Sequence, residues 1–205
     1  MLYYKTVHTE TLGLLKKLQN VDIFKSLRLV GGTALALQIG HRVSDDIDLF
    51  GVINNDEVDI ADALRGLGSI QVVNLTKNIH VYTVNGTKVD IVNYPYPWIS
   101  NEINERNLRL AAIEDIAAMK IAAITGRGTK KDFIDIYFLL NKFSLEQILD
   151  FYQQKYDDGS LFLALKSLSY FDDADQDIAP KMFSTLYWDE LKEFIRTKIY
   201  EYEIT

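Results

Sequence analysis

The chain of 205 residues contains no cysteine. That excludes a disulfide framework, a thiolate metal site and thiol nucleophile chemistry. Proline is scarce, and two of its three residues fall at positions 95 and 97 within YPYPW. Long hydrophobic runs are missing as well. No stretch approaches the roughly 18 uninterrupted apolar residues of a membrane span. The N-terminus, MLYYKTVHTETLGLLKKLQN, carries polar or charged side chains every few positions, unlike a signal peptide. These absences lead to the expectation of a soluble cytoplasmic protein with no membrane partner. Positive charge is also in deficit, with 22 Lys and Arg against 29 Asp and Glu and a formal net charge of −7. This argues against a broadly basic surface that coats nucleic acid by counterion release. A local basic patch persists between residues 120 and 131, where Lys120, Arg127, Lys130 and Lys131 occur with no acid among them.

The composition is 48% hydrophobic, enough for a sizeable core. Up to about residue 100, short β-branched runs alternate with helical patterns. LRLV (27–30), IDLF (47–50), SIQVVNL (69–75), NIHVYTV (78–84) and TKVDIVNY (87–94) read as strands, with Asn85-Gly86 as a two-residue hairpin turn. TALALQIG and DEVDIADALRGLG read as helices ended by glycine. After YPYPW the pattern is helical: IEDIAAMKIAAIT, KKDFIDIYFLLNKF, SLEQILDFYQQKY and YWDELKEFIRTKIYEY. Ser144 and Gln147 form a candidate capping box. An α/β half of about 100 residues is thus expected to precede a helical half, with the prolines at the seam. Tyr187, Trp188, Phe194, Tyr200 and Tyr202 near the end read as core packing rather than a base-stacking platform.

The stretch GGTALALQIGHRVSDDIDLF (31–50) concentrates the chemistry. A glycine pair between strand and helix lets backbone N–H groups approach a ligand, and the helix N-terminus suits phosphate, although the same pair also serves as an ordinary tight turn. On a strand, Asp46 and Asp48 point to one side, with Ile47 and Leu49 toward the core. Two carboxylates so close repel unless both are solvated at a strand end or a cation lies between them. A hard divalent ion with oxygen ligands meets that need. Asp90, alone among apolar residues in KVDIV, is unusual inside a strand. Three carboxylates on two strands could hold two metal ions. Lys120 sits in the otherwise apolar AAMKIAAI, either to neutralise phosphate or with its stem packed along the core. Asp132 and Asp135 share a helix face, and pairing with Lys131, Arg127 or a helix N-terminus is the alternative to a catalytic role.

A strand, a glycine pair opening a helix, Asp-apolar-Asp after thirteen intervening residues and a later apolar-Asp-apolar strand resemble the DNA polymerase β nucleotidyltransferase superfamily. More narrowly, GGTALALQIGHRVSDDIDLF followed by DIAAMKIAAITGRGTKKDFIDIYFLL is similar to the AbiEii/AbiGii toxin family. That family includes MenT-type tRNA nucleotidyltransferase toxins and the killer components of type IV toxin–antitoxin systems. The resemblance spans about residues 27–142. It implies an α+β (mixed α/β) fold: a polymerase-β-type core over residues 1–100, with a small mixed sheet and flanking helices, and a helical region over 101–205 that completes the active-site cleft. It also implies roles for single residues. Asp46, Asp48 and Asp90 match the metal-binding carboxylates for two Mg²⁺ ions. Lys120 matches the essential lysine on the triphosphate. The last motif offers Asp132 or Asp135, with Asp135 preferred as the catalytic residue and Asp132 placed with the nucleotide-binding set. Gly32 and Thr33 stand where the superfamily has its nucleotide-binding Gly-Ser, with Gly31 in the same nucleotide-binding set, and His41, Arg42 and Ser44 match His-Arg-x-Ser, with Arg42 and Ser44 on phosphate or buttressing the loop.

The resemblance implies transfer of a nucleoside monophosphate from an NTP to an acceptor hydroxyl at a tRNA 3′ end, in a toxin countered by a separately encoded antitoxin. Two rivals stand beside it. One is the same chemistry on a protein or small molecule, and the other is a non-catalytic nucleotide-binding interaction module.

Overall fold

Alternating burial builds the centre of the molecule. In IDLFG, Ile47 and Leu49 are fully buried while Asp48 and Phe50 look to the other face. The computed structural model describes residues 1–204, in which the chain forms two compact units: Met1–Tyr96 with Asn101–Ala111, and Pro97–Ser100 with the chain from Ala112 onward.

The first unit holds a mixed sheet made of β1 (Arg28–Leu29), β2 (Ile47–Gly51), β3 (Ile70–Leu75), β4 (Ile79–Val84), β5 (Thr87–Asn93), β6 (Ile103–Glu105) and β7 (Leu108–Leu110). Their order is β3-β4-β5-β2-β1-β7-β6. β2 runs parallel to β5 and antiparallel to β1, while β1 is parallel to β7. The hairpin expected at Asn85-Gly86 joins β4 and β5. Three helices accompany the sheet: α1 (Thr9–Asn20), α2 (Gly31–Ile39) and α3 (Glu57–Arg65). α2 begins at the glycine pair itself and buries Ala34, Leu35, Ala36 and Leu37. α3 is capped by the Asp56 carboxylate, which accepts from the N–H groups of Val58 and Asp59 at 2.9 Å. The Gln19 side chain fastens α1 to β7, donating to the Arg109 carbonyl and accepting from the Arg109 N–H, both at 2.8 Å.

The second unit contains α4 (Ile113–Gly126), α5 (Lys130–Leu140), α6 (Leu145–Lys155), α7 (Leu161–Leu168), the short α8 (Asp172–Asp175) and α9 (Trp188–Glu203). The capping box at Ser144 and Gln147 is present at the start of α6. A fully buried ion pair lies inside this unit, with Lys155 Nζ 2.6 Å from Asp115 Oδ1. Asp115 also accepts from the N–H groups of Ile99 (2.9 Å) and Ser100 (3.1 Å), and Lys155 donates to the Pro97 carbonyl at 2.7 Å beneath the Trp98 ring. These bonds explain why Pro97–Ser100 belongs to the helical unit.

Sequence patterning puts one seam near residue 100. The structure divides differently, because Leu108 and Leu110 are fully buried and Leu29 pairs with Leu110, which returns residues 101–111 to the sheet. The aromatic tail is also divided. Trp188 packs edge-on against Phe133 and Phe171, and Phe194 against Tyr137, whereas Tyr187 and Tyr200 are exposed because α9 turns Leu191, Ile195 and Ile199 inward instead.

Candidate active site

The expected site residues fall into two clusters, one in each unit. In the first, β2 and β5 run parallel with Asp48 in register with Asp90, so the two side chains are neighbours on one face of the sheet. Asp46 precedes β2 and is exposed. Asp45, next to it and also ahead of the strand, accepts from the backbone N–H of His8 at 2.9 Å.

Both glycines are required by what packs on them. Gly31 has a φ of +69°, where L side chains are strained, and a methyl group there would collide with the Asp48 carboxylate. On Gly32 a methyl group would collide with the Arg42 guanidinium and crowd the Ser44 hydroxyl. The first turn of α2 has no acidic residue, and its N-cap Val30 makes no side-chain capping bond. With buried Arg42 against it, this helix end favours an anion. Thr33 differs in role from its expectation. It is fully buried, and its hydroxyl donates to the Asp46 carbonyl at 2.5 Å and shares a 3.0 Å hydrogen bond with Ser44. Thr33 and Ser44 therefore brace the backbone that carries Asp46.

The residue that sequence reasoning missed is Lys88. Its ammonium lies 2.7 Å from Asp90 Oδ2. Partial burial would lower the pKa of this ammonium, but the hydrogen bond it donates to Asp90 and the fields of Asp90, Asp48 and Asp46 raise it above the usual lysine value. Its place two residues before Asp90 on one strand was the available signal.

Among the described residues no group of three or more His, Asp or Glu side chains is gathered to metal-ligand spacing. The donors nonetheless fit a hard cation. Asp90 Oδ1 is buried without a hydrogen-bond partner among the described residues. Leaving such an oxygen unsatisfied costs about 1–3 kcal/mol, and a cation between Asp90 and Asp48 would remove that cost.

The second cluster lies on α4 and α5. Lys120, buried, pairs with Asp132 Oδ1 at 2.9 Å and with Asp135 Oδ2 at 2.6 Å, so both candidate aspartates meet the same ammonium. Asp132 also accepts from Arg127 Nε at 3.0 Å and Thr129 Oγ1 at 2.7 Å. Burial would push the Asp132 carboxyl up, but Lys120 and Arg127 together hold it well below the usual carboxylate range. The ion pair with Arg127 is one of the alternatives that the sequence offered for Asp132 beside a catalytic role. The basic patch from Lys120 to Lys131 fared differently. That patch is not a surface feature as expected, because Lys120 and Lys130 are both buried. Lys130 donates to the carbonyls of Asp177 (2.6 Å) and Asp175 (3.2 Å), which leaves Arg127 and Lys131 exposed.

The chain as a whole is similar to known proteins. An uncharacterized protein of Aquifex aeolicus is 33% identical over 194 residues, covering 92% of this chain and 93% of its own. JHP933 of Helicobacter pylori shares the fold over 95% of this chain and 92% of its own, with a TM-score of 0.58 at 18% identity. MenT4, a nucleotidyltransferase toxin of Mycobacterium tuberculosis H37Rv, does so over 92% and 81%, with a TM-score of 0.58 at 14% identity. The model of the nucleotidyl transferase AbiEii toxin of type IV toxin–antitoxin systems matches residues 13–199. That span takes in the glycine turn, the three aspartates and Lys120 alike, and the chain belongs to the AbiEii family of nucleotidyl transferase toxins.

Proposed function

We propose that the protein transfers a nucleoside monophosphate from an NTP to an acceptor hydroxyl, using Mg²⁺ held by Asp46, Asp48 and Asp90. The observation that carries this reading is the in-register pair Asp48 and Asp90 beside a helix that opens on Gly31-Gly32, with one buried Asp90 oxygen unsatisfied. The first turn of α2 and Arg42 bind phosphate, and Thr33 and Ser44 fix the approach of Asp46. Lys120 serves the triphosphate, a role that rests on the family resemblance, with Asp132 and Asp135 setting its position through the ion pairs described above. Bound divalent ions would neutralise the triphosphate and favour ionisation of the acceptor. In the reaction the acceptor oxygen bonds to the α-phosphorus and the bond from that phosphorus to the bridging oxygen breaks. Pyrophosphate leaves with the electron pair, and the hydroxyl proton passes to a carboxylate of the aspartate set. The protein contributes positioning and charge neutralisation.

The acceptor we propose is the 3′ end of tRNA, and the partner a separately encoded antitoxin, both supported by membership in a toxin–antitoxin family. The net charge of −7 and the burial of Lys120 and Lys130 favour a second reading, in which the acceptor is a protein or a small molecule. Incubation with each α-labelled NTP, Mg²⁺ and total tRNA separates them. Label on RNA, lost in Asp46→Ala, is expected. Label on protein alone would replace the tRNA reading with the second, and transfer undiminished in Asp46→Ala would remove the carboxylates from the mechanism.

A further inference from the structure

The carboxylates assigned to a divalent ion already have a cation among them. Lys88 and Asp90 are two apart on β5 and point to one face, and their charged groups meet at 2.7 Å. Asp48 stands in register with Asp90 on the neighbouring strand. The Lys88 side chain is 46% exposed, and its flexible stem can carry the ammonium away from Asp90 without disturbing the core. The buried ion pair Lys155–Asp115 lacks that freedom, since both side chains there are fully enclosed. An ammonium and a divalent ion on one carboxylate would repel each other strongly at this range.

We infer that Lys88 is a tethered counter-cation that competes with the divalent ion for Asp90. This inference rests on the proposed metal role of Asp46, Asp48 and Asp90. Without metal, Lys88 offsets the mutual repulsion of the three carboxylates. A metal ion that takes the open Asp90 Oδ1 repels the ammonium held on Oδ2, and the affinity of the nucleotide-free protein for metal is lowered accordingly. An NTP brings negative charge that offsets this repulsion, so metal and nucleotide binding are coupled.

The test is Mn²⁺ binding to the nucleotide-free protein, followed by electron paramagnetic resonance, for wild type, Lys88→Met, Lys88→Arg and Asp48→Asn. Lys88→Met is expected to bind Mn²⁺ about fivefold more tightly, as suits loss of a half-exposed ion pair, with Lys88→Arg close to wild type. In chelator, Lys88→Met should also unfold at a lower temperature than wild type, and Mn²⁺ should close that gap. Equal or weaker binding in Lys88→Met, with binding still lost in Asp48→Asn, would overturn the competition and leave the metal reading standing. Binding to none of the four proteins would overturn the metal reading and the competition with it.

Discussion

Lys155 with Asp115 in the second unit and Lys88 with Asp90 in the first are the same two residue types at nearly the same separation, 2.6 and 2.7 Å. Their surroundings make them opposites. Each Asp115 oxygen accepts at least one hydrogen bond, from Lys155 and the N–H groups of Ile99 and Ser100, and both side chains are enclosed. Asp90 satisfies one oxygen with a half-exposed lysine and leaves the other buried without a partner among the described residues. A closed lysine–aspartate pair fixes a segment of chain, while one left open keeps a carboxylate oxygen available to a ligand.

Breaking the closed pair should have the largest effect on the fold. Lys155→Met leaves the Asp115 carboxylate buried without its ammonium, and guanidinium unfolding should show a loss of about 3–5 kcal/mol. Disturbing the open side should spare the fold and strike activity. Asp48→Asn is expected to lower nucleotide transfer by about 10²–10³-fold, or about 2.7–4 kcal/mol of transition-state stabilisation, with little change in unfolding midpoint.

The Lys120 cluster lies between the two extremes and adds a pH dependence. The folded-state pKa of Asp132 is depressed, so its contribution is fully present above the unfolded value of about 3.9 and is lost as pH falls below it. Asp132→Asn should therefore cost about 2 kcal/mol at pH 7, and the gap to wild type should narrow below about pH 4 in urea unfolding. Gly31→Ala is the mildest change, at about 1–2 kcal/mol from its left-handed backbone. Because the added methyl group meets Asp48, transfer activity should fall by more than that loss of stability explains.

The carboxylates of the open side were legible in the sequence because the signal is local: Asp46 and Asp48 are two apart, and Asp90 stands alone among apolar residues. Lys88 was passed over, although alternation puts it on the same face as Asp90 two residues later. What the sequence concealed depends on distant partners. Lys120 and Lys130 resembled a basic surface because the groups that hold them lie 12 to 47 residues further on, at Asp132, Asp135, Asp175 and Asp177. The β6–β7 hairpin escaped notice because its strands are three residues long and its turn, Arg106-Asn107, reaches positive φ without glycine. α7, in LFLALKSL, is apolar nearly all round yet buries only Ala164 and Leu168, so periodicity gave little warning of it.

The chain passes between its two units three times, after Tyr96, after Ser100 and after Ala111. No single cut can therefore divide this gene into two intact halves. A fragment ending at residue 100 would lack β7 and leave β1 without its parallel neighbour, while one beginning at residue 112 would lose the Ile99 and Ser100 amides that Asp115 binds. A split-protein or domain-exchange design would need to carry residues 97–100 with the helices and rejoin Tyr96 to Asn101 through a new linker.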